Sequence, residues 1–288
     1  MTPNIYAFDS TKYAGVRSSG YGISPFPSVE QWADVIRAMA GYFPGSQAVA
    51  VWLVGEVDSV TNGMKLEFPS DGEKYELITF MEEDKHERYL NYFDSAGIKV
   101  YLQVEPGYAD MNTIIDLVIS RYKHHSCIIG FGVDVEWYKK SKNEEQNELV
   151  TDQVAQEWER RVKAYDNSYK LFLKHFDKSN LCPNYRGDIV FIDDSQEFED
   201  FDAFKHEMSE FASEFFPNTV MFQIGYPKDE KWWNEYDSPP QVIGKGLGEL
   251  AKQECGIIWV DFSLKEVFFN ILCKHTDAAH GSELECYY

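Results

Sequence analysis

The feature that most constrains this chain is an alternation. Short apolar runs, nearly all ending in acidic residues, are separated by longer segments with helical spacing. The runs cover residues 5–8, 48–56, 100–105, 127–136, 169–176, 189–194, 219–226 and 256–262. Their near-continuous Ala, Val, Ile, Leu and Phe content suits strands covered on both faces, as in a parallel sheet wrapped by helices. Residues 28–39 show the intervening pattern: Ser28 stands where a cap is needed, Glu30 is in the first turn, and Val29, Trp32, Val35, Ile36 and Met39 repeat on one face. Similar patterns span residues 84–96 (closed by Gly97), 111–122, 153–165, 201–216 (stopped by Pro217) and 244–253. The run at 169–176 could also continue the helix before it. Residues 13–24 and 58–74 read as loops.

Eight such units with no internal linker predict an α/β fold, a single (β/α)8 TIM barrel over residues 1–288, with a loosely attached tail from about residue 276. No G-x-G-x-x-G follows the first run, which removes the commonest sign of a dinucleotide-binding sheet.

Charge narrows the partners. Lys and Arg number 27 against 48 Asp and Glu, a formal net charge of -21 that repels nucleic-acid phosphates and anionic lipid surfaces. No segment approaches the roughly 18 apolar residues of a membrane helix, so no membrane insertion is expected. The opening MTPNIYAFDS lacks the regions of a signal peptide. Secretion after removal of a signal stays open, as does the oligomeric state. The five cysteines form no C-x-x-C or His-spaced pattern, so neither sulfur-bound metal nor another cofactor is expected, and Cys127 and Cys255 read as buried thiols.

In a barrel the active site lies at the C-terminal ends of the strands. Asp9, Glu56, Glu105, Asp134 with Glu136, Asp177, Asp193 with Asp194, and Asp261 would share that rim. In the fourth run, alternation sets Gly130, Gly132, Asp134 and Glu136 on one face. Two carboxylates this close in a partly desolvated mouth raise one another's pKa, which makes one of them a candidate acid. Glu136, nearer the rim, would protonate a leaving oxygen, and Asp134 would orient what forms behind it.

The segment Ile129-Gly130-Phe131-Gly132-Val133-Asp134-Val135-Glu136 resembles the D-G-x-D-x-D-x-E pattern of the family 18 glycoside hydrolases, the chitinases and their relatives. The resemblance implies that Glu136 is the general acid and base and that Asp134 holds a 2-acetamido group during its attack on the anomeric carbon. It extends to Gln223, Tyr226 and Trp259 as substrate contacts. Ile129 and Gly132 replace two aspartates of the pattern, and Leu102-Gln103-Val104-Glu105 stands where that family has Ser-x-Gly-Gly.

Two readings follow. One is a retaining glycosidase acting on an oligosaccharide or polysaccharide with an N-acetylated sugar. The other is an inactive chitinase-like barrel that binds glycan or protein. Catalysis falls to Glu136 and Asp134, and substrate binding to Gln103, Glu105, Trp137, Asp193, Gln223, Tyr226 and Trp259. Core packing is expected of Trp52, and a ligand-facing role for one of Trp232 and Trp233. A Schiff base on Lys174 is a lesser option that needs desolvation, and a solvated lysine is the ordinary expectation there. His175 has no nucleophile partner in sequence.

Overall fold

A strand buried on both faces must be closed into a barrel or covered by helices, and here both happen. The structure is a computed structural model that describes residues 11–273. Eight parallel strands form the wall: β1 (Thr11–Ser18), β2 (Gln47–Val57), β3 (Lys99–Val104), β4 (Ile128–Asp134), β5 (Lys170–Lys174), β6 (Val190–Asp193), β7 (Val220–Ile224) and β8 (Cys255–Trp259). Each pairs with the next, and β1 pairs with both β2 and β8, with Val16 opposite Ala50 on one side and Trp259 on the other, so the sheet closes. This is the expected (β/α)8 barrel.

The outer layer comprises α1 (Val29–Gly41), α2 (Glu87–Ala96), α3 (Met111–Tyr122), α4 (Asp152–Lys163), α5 (Phe201–Glu214) and α6 (Pro239–Leu250). Ser28 and Gln31 form a reciprocal capping box at α1, and Gly97 ends α2 at φ 71°. α6 begins earlier than the sequence suggested, because Pro239 and Pro240 occupy its first turn, where a missing N–H is harmless. Between β5 and β6 the connection among the described residues is a 3-10 turn, Lys178–Asn180, with no α-helix. Short strands Met64–Leu66, within the expected loop at 58–74, and Ile78–Phe80, beyond it, extend the sheet from β2.

The first strand is the main correction. β1 overlaps the first part of the stretch at 13–24 expected to be a loop, and the run at residues 5–8, with Asp9, lies outside the described residues. Its pattern is weak because its inward face carries Tyr13, Gly15 and Arg17. Gly15 is required there, since a Cβ would sit 1.6 Å from the Val49 carbonyl oxygen. The doubtful fifth run is a true strand. Phe172 lies opposite Gly132 on one side and Val190 on the other.

Two apolar clusters divide the core. Val49, Val51, Tyr101, Phe172, Val190, Ile192, Met221 and Ile258 fill the barrel. A larger set, including Trp32, Trp52, Leu102, Ile115, Phe131, Phe191 and Trp259, fills the space between wall and helices. No described helix is long and apolar enough to cross a membrane.

Candidate active site

Strand parity decides which side chains reach the mouth. Two residues beyond inward Tyr101, Phe172, Ile192 and Met221 come Gln103, Lys174, Asp194 and Gln223, all buried. A Cβ on Gly132 would fall 2.0 Å from the Phe172 ring, so Gly132 also faces inward and leaves room for that ring. Asp134 is therefore inward as well.

Lys174 is the hinge of one ionic group. Its Nζ lies 2.7 Å from Asp134 Oδ2 and also meets Asp194 Oδ2. One cation between two carboxylates leaves one negative charge without a counter-ion among buried side chains. Burial, opposed by Lys174 and reinforced by Asp194, Glu105 and Glu136, pushes Asp134 up to about 8, so it holds a proton at neutral pH. Burial alone would lower the Lys174 pKa, but the two carboxylates hold it well above the usual lysine value. Asp134 Oδ1 and Asp194 Oδ1 are buried without a hydrogen-bond partner, as are both amide atoms of Gln103.

Arg17 organises the second group. Its guanidinium lies 3.0 Å from Asp261 Oδ1 and 3.4 Å from Glu105 Oε1, and it donates to the Tyr21 hydroxyl. Tyr21 in turn donates to Glu105, and Ser19 donates to Asp261 through both N–H and hydroxyl at 2.6 Å. Burial raises the Glu105 pKa against the pull of Arg17 and Tyr21. Tyr21 and Phe262 flank Arg17, with ring centroids 5.3 and 5.7 Å from its Cζ, and are 48% and 37% exposed. They form an aromatic rim that Tyr226 joins, 6.2 Å from Phe262.

Glu136 does not lie on a strand. β4 stops at Asp134, and Val135–Trp137 form a 3-10 turn, so the expected alternation fails at this residue. The turn nevertheless brings its carboxylate back over the mouth. One oxygen each of Asp134, Glu136 and Asp194 lie within 4.8 Å of one another. The Glu136 side chain is 31% exposed, with Lys140 Nζ at 3.5 Å. Lys140 also stands 5.2 Å over the half-buried Trp137 ring.

Other expected residues divide by parity. Gln223 faces inward and accepts from the Tyr226 hydroxyl at 3.2 Å, so Gln103, Glu105, Asp134, Gln223 and Tyr226 belong to the mouth. Trp259 does not. It follows inward Ile258, so its indole enters the helix layer, donating to Ser263 Oγ at 2.9 Å and packing on Trp233 at 5.6 Å. Asp193 likewise follows Ile192 and turns outward, accepting from the Ser195 N–H at 2.8 Å, while burial pushes its pKa up to about 8. Asp194 takes the inward place that was expected of Asp193.

Trp232 stacks on Phe201, and Trp233 donates to the Tyr226 carbonyl. Both are buried, contrary to a ligand-facing role. Trp52 is core, as expected. Lys174 is buried, which overturns the solvated reading. His175 is buried too, its Nδ1 accepting from the Asp177 N–H and its pKa lowered to about 4 by burial, and Asp177 is exposed. Arg17, Tyr21 and Phe262 were not foreseen; placing the first strand at residues 11–18 would have found Arg17.

A cavity of about 370 Å³ adjoins the Arg17 group, lined by Ser18, Ser19, Leu53, Glu67, His86 and Tyr89 among others. A larger one of about 560 Å³ lies off the mouth, against the start of α3, Tyr138 and α4.

No family model and no curated protein matches the chain in sequence. Among solved structures it is similar to a Parabacteroides merdae beta-glucuronidase with glycerol in its active site, at 12% identity, 64% of this chain, 27% of that chain and a TM-score of 0.40. It is also similar to the intracellular xylanase of Thermoanaerobacterium saccharolyticum in complex with xylotriose, at 13% identity, 87% of this chain, 86% of that chain and a TM-score of 0.39. The chain thus spans little more than a quarter of the glucuronidase.

Proposed function

We propose that the chain is a glycoside hydrolase acting on an oligosaccharide or polysaccharide with an N-acetylated sugar. The observation that carries this reading is the convergence of Asp134, Glu136 and Asp194 oxygens within 4.8 Å at the barrel mouth, with Glu136 facing solvent. Glu136 gives a proton to the glycosidic oxygen as the acetamido carbonyl oxygen bonds to the anomeric carbon and the leaving group departs with the bonding electrons. It then takes a proton from the water that opens the cyclic intermediate, and configuration is retained. The Asp134 carboxyl, whose Oδ1 has no protein partner, is the group that meets the substrate's acetamido group. Lys174 fixes the other oxygen of that carboxyl at 2.7 Å. The exposed Tyr21 and Phe262 rings supply stacking faces for sugar. The resemblance of the Asp134-Val135-Glu136 segment to the family 18 hydrolases supports the same assignment.

A second reading, a barrel that binds glycan or protein without turning it over, is favoured by one observation: the mouth carboxylates are already engaged by Arg17 and Lys174, and Gln103, Asp134, Asp194 and Gln223 are buried. Incubation with N-acetylated oligosaccharides separates the two. Product release by the wild type that falls at least about 100-fold in Glu136→Gln supports the hydrolase. Calorimetric binding with no product after prolonged incubation supports the second reading.

A further inference from the structure

Away from the mouth, the segment that leads into β4 carries two adjacent histidines against α2. Asp84 fixes their relation. It accepts from the His86 and Glu87 N–H groups at the start of α2, and from Arg121 and the Tyr122 hydroxyl at the end of α3. Glu87 is thereby held beside His124 and His125. Glu87 Oε1 lies 3.1 Å from His124 Nε2, and its Oε2 lies 3.4 Å from His125 Nε2. One ligand atom from each of the three residues lies within 4.8 Å of the others.

His125 supplies a second, independent observation. Its side chain is only 1% exposed, and Nε2 is buried without a hydrogen bond, aimed at Glu87. Its Nδ1 stands 2.8 Å from Asp94 Oδ2, while Asp94 Oδ1 accepts from Ser126 Oγ and the Cys127 N–H. A carboxylate so placed only accepts, so Nδ1 carries a proton there, which leaves Nε2 as the ring atom that can exchange its proton for a metal ion. A carboxylate behind a histidine in this way is the usual outer support of a metal ligand.

We propose that Glu87, His124 and His125 bind a divalent transition metal of the zinc type, with a fourth position open to solvent beside the exposed His124. The spacing fits the chemistry. Tetrahedral ligand atoms about 2.0–2.1 Å from zinc stand about 3.3–3.4 Å apart, and the His124 and His125 Nε2 atoms lie 3.1 and 3.4 Å from the two oxygens of the Glu87 carboxylate. Two imidazoles with one carboxylate form a borderline donor set that prefers such ions to calcium or magnesium. A bound ion would pin α2 to the residues that lead into β4, the strand whose other end carries Asp134.

The test titrates chelator-treated, tag-free protein with zinc chloride by calorimetry, and records the visible spectrum with cobalt(II) as a geometric probe. One equivalent is expected, with a tetrahedral cobalt spectrum. His124→Ala removes a side chain that is 55% exposed, so the fold is safe, and it should weaken binding at least about 100-fold. Asp94→Asn should weaken it about 10- to 100-fold, and Asp134→Asn should leave it unchanged. Absence of binding, equal affinity in wild type, His124→Ala and Glu87→Gln, or loss of binding in Asp134→Asn would each overturn the proposal.

Discussion

Replacing Lys174 with Met keeps the length of the side chain and removes the only cation that touches Asp134 and Asp194 among the described residues. With the proton on Asp134, the triad holds one negative and one positive charge, and the variant strands the negative one. The surviving ion pair is Lys174 with Asp194, and its Coulomb attraction is at least about 4 kcal/mol at an effective dielectric constant of about 20. Desolvation offsets part of this, and removing one member of a buried pair typically costs about 3–5 kcal/mol. The stranded carboxylate has an escape, because it can take up a proton. That costs about 1.4 kcal/mol per pH unit above an unperturbed pKa of about 3.9, hence about 1.5 kcal/mol at pH 5 and about 5 kcal/mol at pH 7.5. Protonation therefore caps the loss at pH 5 but not at pH 7.5. Urea unfolding followed by far-ultraviolet circular dichroism should show Lys174→Met destabilised by about 1.5 kcal/mol at pH 5 and about 3–5 kcal/mol at pH 7.5. A loss below about 0.5 kcal/mol at both pH values, as for an exposed lysine, would show that Lys174 holds no buried charge in place.

Three further outcomes follow from the same geometry. The folded-state pKa of Asp134 is raised to about 8, so its contribution to stability is fully present below the unfolded value and is lost as pH rises through about 8. Wild-type urea midpoints should fall between pH 6 and 9 more steeply than those of Asp134→Asn, which stays neutral, and parallel curves would contradict this. Gly132→Ala drives a methyl into the Phe172 ring and should destabilise by about 1–3 kcal/mol, with partial recovery in the double variant carrying Phe172→Leu. A cost with no recovery would argue against the inward placement. Trp259→Phe loses the bond to Ser263 and should lower stability by about 1–2 kcal/mol while leaving glycan affinity unchanged. A tenfold fall in affinity would return Trp259 to the site.

Much of the barrel was legible because buried parallel strands announce themselves as apolar runs, and seven of the eight runs fall on the wall strands found. The exception has a physical cause. The inward face of β1 is built from Tyr13, Gly15 and Arg17, a glycine demanded by close backbone approach and a cation demanded by Asp261 and Glu105, so it has no apolar period to read. Asp134 and Gln103 could be placed from strand parity. Asp193 and Trp259 could not, because a shift of one residue moves a side chain from the mouth to the helix layer and the strand ends were not fixed in advance. Lys174 read as solvated because a lysine in isolation is, and only the approach of two carboxylates from other strands makes its burial tolerable. The Glu136 turn shows the converse, a residue off the strand whose carboxylate still returns to the cluster.

Leaving-group dependence decides whether Glu136, as proposed, moves a proton to the leaving oxygen. Glu136→Gln should lose at least about 100-fold in kcat/KM on an alkyl or natural N-acetylglycoside, which needs that proton. Bond cleavage in a 2,4-dinitrophenyl glycoside, whose phenolate departs unaided, should be far less impaired. Equal losses on both substrates, or no loss on either, would contradict the account.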